Sequence, residues 1–234
     1  SPAALLLIQS LALASALVPL VALASRHSKH NALVLAVALL FILNPFLHLV
    51  SEFDFHPEAL FIPAAFWALL FWERGKPGLA GLIALPCLGL KEDIPLALAG
   101  FGVYLALFKG KKAGWGLVGA CGAAFAVITI WVIPHFAGSR VSIHHDRYAS
   151  LGTGTSEMIR HIVWHPWAVP LRLLRPGVLL TAALLLGSVG FLPLAAPAAL
   201  VPVLSACLHH LLSDYRAQYS LVSQYSAQTV PLLF

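Results

Sequence analysis

Long blocks of apolar residues restrict the possible folds of this chain more than any other feature. Segments 3–24 (AALLLIQSLALASALVPLVALA) and 113–134 (AGWGLVGACGAAFAVITIWVIP) contain no charged side chain. Blocks of roughly 20 apolar residues match the hydrocarbon thickness of a bilayer when they are helical. Only 10% of all residues are charged, whereas a typical soluble domain carries about a quarter. The sequence therefore predicts a multi-pass membrane protein.

The apolar blocks predict an all-α, polytopic bundle of transmembrane helices with eight or nine spans. At 1.5 Å per residue, segment 78–90 covers about 20 Å, so we expect a short, partly buried helix there. No internal repeat divides the chain, and residues 1–234 are expected to form a single transmembrane domain. The chain begins without Met and stops where an apolar block starts, which predicts a piece of a longer protein. The predicted spans are 3–24, 31–50, 58–72, 78–90, 94–108, 113–134, 177–192 and 197–212, with a ninth from near 229.

The charges between the blocks indicate how the chain crosses the membrane. Three short connections, SRHSKH (25–30), ERGKPG (73–78) and KGKK (109–112), are basic and contain Glu73 as their only acid. By the positive-inside rule these connections are cytoplasmic. The other connections, and with them eight of the nine acidic residues, then lie on the non-cytoplasmic face. We therefore expect the acid and histidine chemistry on that face.

The non-cytoplasmic connection 135–175 is too long for a simple turn. Its second half combines indole rings with guanidinium groups, which favour the headgroup layer of a bilayer. We predict an interfacial amphipathic helix there, lying on the membrane and broken near Pro166 and Pro170. The side chains that support it are Trp164, Trp167, Arg160, Arg172 and Arg175.

Composition also argues against two other classes of site. Cys87, Cys121 and Cys207 each stand alone inside apolar blocks, which predicts small buried side chains rather than a disulfide or a thiolate metal site. A net charge of +5 would suggest a nucleic-acid partner for a soluble protein. In a membrane protein basic residues report topology instead, so no nucleic acid is expected.

The stretch SEFDFHPEALFIP (51–63) places acids and a histidine between two apolar blocks. A residue before proline avoids helical geometry, so His56 is predicted to be extended and Pro57 to begin the next helix. Glu58 then lies in the first turn, where the helix dipole favours an anion. A solvated turn explains the stretch as well as metal binding or general-base chemistry does. An extended backbone would direct three polar side chains to one face: Glu52, Asp54 and His56.

The stretch GLKEDIPLA (89–97) places Lys91, Glu92 and Asp93 between two short apolar blocks. Each ionised side chain costs about 2.5–3.5 kcal/mol in the bilayer interior, so these charges are candidates for function. The structural alternative is that Asp93 is the N-cap of the next helix, which Ile94 and Pro95 begin. Lys91 and Glu92 would then pair at the interface.

Two further polar stretches fall on the same face. SIHHDRYASLGTG (142–154) contains two imidazoles, a carboxylate, a guanidinium and a phenol, and the planar fork of arginine suits a phosphate. SDYRAQYSLVSQYS (213–226) precedes an apolar run, and an aromatic belt at the membrane surface has the same composition. An exposed polar loop is the alternative for the first stretch. The residues singled out are His144, His145, Asp146, Arg147, Tyr148, Arg216 and Tyr225.

Taken together, the motifs FDFHPEAL, KEDIPL, HHDRYASLG and QYSAQTVPLLF resemble an uncharacterised bacterial and archaeal family of multi-pass membrane proteins. That family is grouped with the GT-C glycosyltransferases, whose donors are sugars on polyprenyl phosphate. The resemblance covers essentially the whole chain. It implies transfer of a sugar from such a lipid at the non-cytoplasmic face of a prokaryotic inner membrane. The matching positions are Asp54, His56, Pro57, Glu58, Lys91, Glu92, Asp93, Arg147, Tyr148 and Tyr225.

The resemblance implies roles for individual residues. The catalytic candidates are Asp54, Glu58 and Asp93. A divalent metal ion, if one is used, would be held by His56, His144 and His145. Relatives carry an earlier span and an acidic external loop, the usual place of the GT-C catalytic carboxylate, and a His is common at the position of Gln224. Substrate binding is assigned to Lys91, Glu92, Arg147, Tyr148, Arg216 and Tyr225.

Two other functions stay open. The first is a non-catalytic accessory subunit of a larger membrane complex, which the missing acidic loop favours. The second is a transporter that uses the charges of residues 91–93 as an intramembrane ionic site. Transporters usually show matched halves, and the sequence shows none. The expected partners are the lipid bilayer, a polyprenyl-phosphate sugar donor and other membrane subunits.

Overall fold

The computed structural model describes residues 2–137, 145–152 and 155–234, and within these ranges the chain forms helices and no strand. The first stretch contains two nearly continuous pairs of helices. Helices α1 and α2 follow one another without a loop, and α3 and α4 are separated by a short break at Asn44. Their bounds are Pro2–Ser15 (α1), Leu17–His27 (α2), Asn31–Ile42 (α3) and Pro45–Glu52 (α4).

The break at Asn44 has a local cause. The Asn44 side chain accepts hydrogen bonds from the backbone amides of Phe46 and Leu47, at 3.0 and 3.2 Å. Pro45 occupies the first helical position, where its missing N–H leaves no bond unmade. Because Asn44 is fully buried, the cap fixes the angle between two segments that the sequence predicts as one span.

Four apolar helices occupy the middle of the chain, and they pack as two consecutive pairs. A 3₁₀ turn at Pro57–Leu60 leads into α5, and a π-helical segment at Ile128–Val132 joins α8 to α9. Gly102 and Gly114 let α7 and α8 approach until neither position has room for a Cβ. The bounds are Phe61–Glu73 (α5), Pro77–Cys87 (α6), Ile94–Phe108 (α7), Ala113–Val127 (α8) and Ile133–Ala137 (α9).

The predicted interfacial segment forms two helices, α10 (Thr155–Trp164) and α11 (Ala168–Leu173). The predicted break near Pro166 is confirmed, since the chain leaves helical geometry between them. The predicted break near Pro170 is wrong. Pro170 lies in the first turn of α11, where a proline removes no helical hydrogen bond.

The last part of the chain packs back onto the earlier helices. Helix α13 crosses α7 where Gly100 faces Ser205, again without room for a Cβ. Phe234 at the end of the chain contacts Phe41 and Phe66 edge to face, with ring centroids 5.6 and 6.4 Å apart. The bounds are Pro176–Gly187 (α12), Leu200–Leu211 (α13), Arg216–Tyr219 (α14) and Val230–Leu233 (α15).

In the described part of the chain, three helical stretches are long and apolar enough to cross a membrane by length and composition: Pro2–His27, Asn31–Glu52 and Ala113–Phe136. Four shorter apolar helices accompany them within the same residues: Pro77–Cys87, Ile94–Phe108, Pro176–Gly187 and Pro197–Leu211. The multi-pass helical architecture is therefore supported, whereas the predicted count of eight or nine spans is not confirmed. The cysteines are free and buried as predicted: Cys87, Cys121 and Cys207.

Helix α5 separates two sets of charges. At its C-terminal end Glu73 contacts Arg26, with the guanidinium Nε 3.5 Å from a carboxylate oxygen, and His27 at 2.8 Å. Before its N-terminal end lies Glu58, in the 3₁₀ turn. The basic connections 25–30 and 73–78 thus meet at one end of α5, and Glu58 lies at the opposite end.

Candidate functional site

A buried ionic cluster surrounds Asp93, whose residue surface is 4% exposed. Its Oδ2 lies 3.2 Å from His209 Nε2, 3.5 Å from His210 Nε2 and 3.4 Å from Lys91 Nζ. Its Oδ1 accepts a hydrogen bond of 2.6 Å from the Gln228 amide. With Glu58, which pairs with Lys91, these residues form what we call the Asp93 cluster: Glu58, Lys91, Asp93, His209, His210 and Gln228.

Helix termini bring the cluster together. Asp93 occupies the N-cap position of α7 and Pro95 follows in the first turn, but the Asp93 side chain makes no capping hydrogen bond. Its carboxylate is turned instead toward His209 and His210, near the C-terminal end of α13. The predicted N-cap position of Asp93 is confirmed, but its side chain makes no capping hydrogen bond.

Lys91 links the two acids of the cluster. Its Nζ lies 3.3 Å from Glu58 Oε1 as well as 3.4 Å from Asp93 Oδ2. The ammonium also lies 5.2 Å from the centre of the Tyr225 ring, where the aromatic face attracts a cation. The ion pairs of the cluster thus set two carboxylates against one ammonium.

Both members of the central ion pair stay charged despite their burial. Burial raises the pKa of Asp93, but the hydrogen bond from His209 and the charge of Lys91 outweigh it and hold that pKa far below its usual value. Burial likewise lowers the pKa of Lys91, and the nearby charges of Asp93, Glu58 and Glu92 reverse the effect and raise it. The mutual attraction of the charges therefore exceeds the desolvation that opposes it.

A layer of neutral polar groups covers the histidine side of the cluster. The Tyr148 hydroxyl donates to the His209 carbonyl at 3.0 Å and accepts from the Gln218 amide at 2.8 Å. The same amide nitrogen lies 3.1 Å from His210 Nδ1, and Ser213 donates to the Gln218 carbonyl oxygen. Burial raises the pKa of Tyr148 to about 12, so this hydroxyl remains a donor at physiological pH.

Arg147 lies at the edge of the cluster without a carboxylate partner. Its guanidinium donates to the Tyr225 hydroxyl at 3.1 Å and lies 5.3 Å from the centre of the Tyr215 ring. No carboxylate in the described parts of the chain forms an ion pair with it. Half-buried and flanked by two aromatic rings, this group is suited to an anionic ligand.

A cavity of about 370 Å³ lies close to this segment in the chain, against α10. Leu151, whose amide bonds the Tyr148 carbonyl at 2.8 Å, forms part of its wall. The rest of the wall is cationic, aromatic or acidic and belongs mainly to α10 and the residue that follows it. These side chains are Glu157, Arg160, His161, Trp164 and His165.

Other predicted site residues lie away from the cluster. Helix α4 continues to Glu52, so the prediction of an extended segment beginning at that residue is wrong. After it, Phe53 and His56 have extended backbone angles. Asp54 is exposed, and the His56 ring bonds the Asp54 carbonyl and lies 5.0 Å from the Phe53 ring. Arg216 is also exposed.

Three more predicted residues have a more limited description. Glu92 is half-buried and contributes to the electrostatic environment of Lys91. His144 and the side chain of His145 lie outside the described residues. The predicted metal set that includes His56 therefore stays a prediction.

A second ionic network lies just beyond α13, around Asp214. The Asp214 carboxylate pairs with Arg172 at 3.0 Å and Arg175 at 3.5 Å, and the Ser150 hydroxyl also bonds it. Burial raises the pKa of Asp214, but the hydrogen bonds from Ser150 and the charge of Arg172 outweigh it and leave that pKa lowered. We call these four residues the Asp214 network.

The two arginines also bind the end of α13. Arg175 donates to the carbonyls of Leu211 and Ser213, at 2.8 and 2.9 Å, and Arg172 donates to the Leu212 carbonyl. Helix ends leave such carbonyls without partners inside the helix. The sequence interpretation assigned these guanidinium groups to lipid headgroups, whereas the structure gives them partners within the protein.

Several residues of the site carry no signal that the sequence analysis used. Gln218 and Gln228 are 5% and 0% exposed and contact His210 and Asp93, respectively. An amide next to an apolar run, as at Gln228, is a signal that could have pointed to the site, because burying an unpaired amide is unfavourable. His209 and His210, which close the apolar block 197–212, also lie outside the predicted set of site residues.

Asp93, His209 and His210 also offer three metal-ligand atoms, all within 4.8 Å of one another.

A family model described as a predicted membrane protein (DUF2079) matches residues 1–234. Comparisons with curated proteins and with solved structures gave no match.

Proposed function

The chain belongs to the DUF2079 family of predicted membrane proteins, and we propose that it is a GT-C-like glycosyltransferase domain. In this proposal it takes a sugar from a polyprenyl-phosphate donor at the non-cytoplasmic face of a prokaryotic inner membrane. One observation carries the proposal: residues from distant motifs converge on one buried ionic cluster at the ends of apolar helices.

Burial of these charges is the reason to assign them a function. Glu58 and Asp93 are each 4% exposed, and moving an ion out of water carries a penalty of several kcal/mol. Replacing a buried ion pair by apolar side chains of similar volume often leaves a protein equally stable or more stable. A membrane protein that retains such a cluster where helices meet the boundary is expected to use it.

The proposed reaction divides the site between leaving group and acceptor. The acceptor hydroxyl oxygen forms a bond to the anomeric carbon of the sugar while the bond from that carbon to the donor phosphate oxygen breaks. Polyprenyl phosphate leaves with the electron pair, and a carboxylate takes the acceptor proton. Arg147, which lacks a carboxylate partner in the described chain, is assigned to the phosphate, with Arg216 as the more exposed second cation.

Two carboxylates compete for the role of base. Asp54 is exposed, where an acceptor has access, and Glu58 is buried beside Lys91. Four residues of chain span at most about 14 Å, so Asp54 lies within reach of a substrate held above Glu58. Asp93 is a weaker candidate because its carboxylate accepts bonds from His209 and Gln228 and its pKa is lowered. We assign it a positioning role.

Donor binding is the first test. The purified full-length protein is mixed with a polyprenyl-phosphate-linked sugar, and retention of the lipid is measured by native mass spectrometry. We expect Arg147→Met to weaken retention by about tenfold or more, because a hydrogen bond to a charged group contributes about 1.5–3 kcal/mol. Arg74→Met, an exposed cation after the C-terminal end of α5, is the matched control. Equal retention by both variants would remove Arg147 from the donor site.

Transfer is tested through release of polyprenyl phosphate from the same donor. Asp54→Asn and Glu58→Gln each remove one candidate base with little change in volume. A general base contributes typically 10²–10⁴-fold, so one variant should lose at least about 100-fold in rate. If both variants release polyprenyl phosphate at the rate of the unmodified protein, neither carboxylate is the base.

A structural role in a larger membrane complex is the second candidate. The observation that favours it is the closed state of the cluster, in which Glu58 and Asp93 have almost no exposed surface. Under this alternative the protein binds no donor lipid, and Lys91 or Asp93 variants lose only stability. The transporter alternative stays a prediction.

A further inference from the structure

Two adjacent histidines converge on one carboxylate oxygen within the Asp93 cluster. Neighbouring residues of a helix normally point about 100° apart, because the helix has 3.6 residues per turn. The rings of His209 and His210 nevertheless lie with centroids 3.7 Å apart. Both Nε2 atoms approach the same oxygen, Asp93 Oδ2, at 3.2 and 3.5 Å.

These separations fit a bound metal ion. In a tetrahedral zinc site with bonds of about 2.0–2.1 Å, the ligand atoms lie about 3.3 Å from one another. The two measured separations, 3.2 and 3.5 Å, bracket that value. All three atoms lie within 4.8 Å of one another, so an ion placed among them would draw the side chains together rather than force them apart.

Buried atoms without hydrogen bonds point to the same position. His210 is 1% exposed, and its Nε2, which faces Asp93, has no hydrogen-bond partner. The buried Nδ1 of His209 and the Oε1 of Gln228 also lack one. A buried polar atom usually has a partner. A cation between His210 Nε2 and Asp93 would supply one, with the Gln218 amide turned so that its oxygen accepts a hydrogen bond from His210 Nδ1.

The charges of the cluster agree with this. Glu58 and Asp93 supply two negative charges, and Lys91 alone pairs with both. A divalent ion bound to Asp93 would leave Lys91 paired with Glu58, at its present distance of 3.3 Å. Lys91, which now pairs with two acids, would then pair with Glu58 alone.

We infer that Asp93, His209 and His210 form a binding site for one divalent transition-metal ion of the Zn²⁺ class. Two imidazoles and a carboxylate are the ligand types that zinc accepts, and three protein ligands leave a fourth position for water or a substrate oxygen. This site is distinct from the predicted set of His56, His144 and His145. It does not depend on the proposed glycosyl transfer.

Metal content tests the inference directly. The full-length protein in detergent is stripped with a chelator, dialysed against Zn²⁺, and its zinc is counted by elemental mass spectrometry. We expect one ion per chain, and a loss of at least about tenfold in affinity for Asp93→Asn and for His210→Gln, since even outer-shell changes cost 10–100-fold. Equal zinc content in all variants would overturn the site.

The control is a second histidine pair, in which His161 is half-buried and His165 is exposed. The rings of His161 and His165 lie 4.8 Å apart, on α10 and directly after it, which makes them the obvious place for adventitious zinc. The double variant His161→Gln/His165→Gln should keep the bound ion. If this variant loses it while Asp93→Asn retains it, the inference is wrong.

Measurements on the unmodified protein remain decisive if a variant fails to fold. Zn²⁺ should raise the thermal unfolding temperature, because a ligand that binds the native state alone stabilises it. Co²⁺ should give the visible absorption of a tetrahedral site with nitrogen and oxygen ligands. Absence of both effects would overturn the inference. None of these measurements uses a donor lipid, so failure of the proposed transfer leaves them unaffected.

Discussion

Two carboxylates near the end of α13, Asp93 and Asp214, are both held by cations but in different surroundings. Asp93 is 4% exposed and meets one ammonium and two imidazoles. Asp214 has a side chain that is 32% exposed and pairs with the guanidinium groups of Arg172 and Arg175. The first belongs to a cluster with an excess of acid, the second to a network with an excess of base.

This difference indicates a functional role for the Asp93 cluster and a structural role for the Asp214 network. In the Asp214 network each arginine also satisfies backbone carbonyls at the end of α13, such as those of Leu211 and Leu212. The members of this network therefore stabilise the helix end, and they are partly accessible to water. In the Asp93 cluster, His210 Nε2 has no hydrogen-bond partner and the Asp93 side chain does not cap its helix. These two features do not stabilise the fold, and such features are expected of a functional site.

The largest effect is expected from removing the shared cation. Lys91→Met leaves Glu58 and Asp93 buried without their ammonium, and breaking a buried pair typically costs about 3–5 kcal/mol. The free energy of unfolding in detergent, measured with a denaturant, should fall by that amount. The double variant Lys91→Met/Glu58→Gln removes one stranded charge as well and should recover part of the loss.

A small loss of unfolding free energy in Lys91→Met would contradict the proposed difference between the two regions, because the Asp93 cluster would then behave like a surface ion pair. A large loss that the double variant does not relieve would point to packing of the lysine side chain instead. Both outcomes are measured on the same unfolding transition.

The sequence predicted one side of the Asp93 cluster well. Segment 94–108 was expected to be helical and coincides with α7, because Pro95 and the three charges before it mark a sharp helix start. His56 is extended, with φ of −129°, as the following proline requires. These features depend on residues only a few positions apart, where local sterics decide the outcome.

The partners of Asp93 were beyond such reasoning. His209 is 116 positions away and Gln228 is 135, and nothing in the local pattern of either specifies which acid it meets. The same limit applies to Asp54: the prediction grouped it with Glu52 and His56 by alternation, but α4 runs on through Glu52 and changes the register. Long-range pairing arises from helix packing, which a single sequence does not encode as a visible period.

A smaller effect is expected from replacing Arg175, which belongs to the Asp214 network. Its guanidinium donates to the Leu211 and Ser213 carbonyls and pairs with Asp214. Arg175→Met should lower the free energy of unfolding by about 1.5 kcal/mol, the lower end for charged hydrogen bonds, because the side chain is partly exposed. Arg74→Met, the same substitution at an exposed position beyond α5, is the control. A loss as large as that of Lys91→Met would mean that the two regions do not differ in kind.

The smallest effect is expected at Asp214 itself, and its pH dependence tests the comparison most finely. Asp214→Asn should cost between 0 and about 1 kcal/mol at pH 7, as exposed ion pairs do. Because the pKa of Asp214 is lowered in the folded protein, its contribution is present above the unfolded value of about 3.9 and is lost as the pH falls through the lower folded value. Unfolding of both proteins should therefore be compared from pH 7 down to pH 3, and the gap between them should narrow only below about pH 4. A gap that closes between pH 5 and 7 would instead implicate a histidine. The imidazoles of the Asp93 cluster would then be tested, and coupling to them would make the two regions one network.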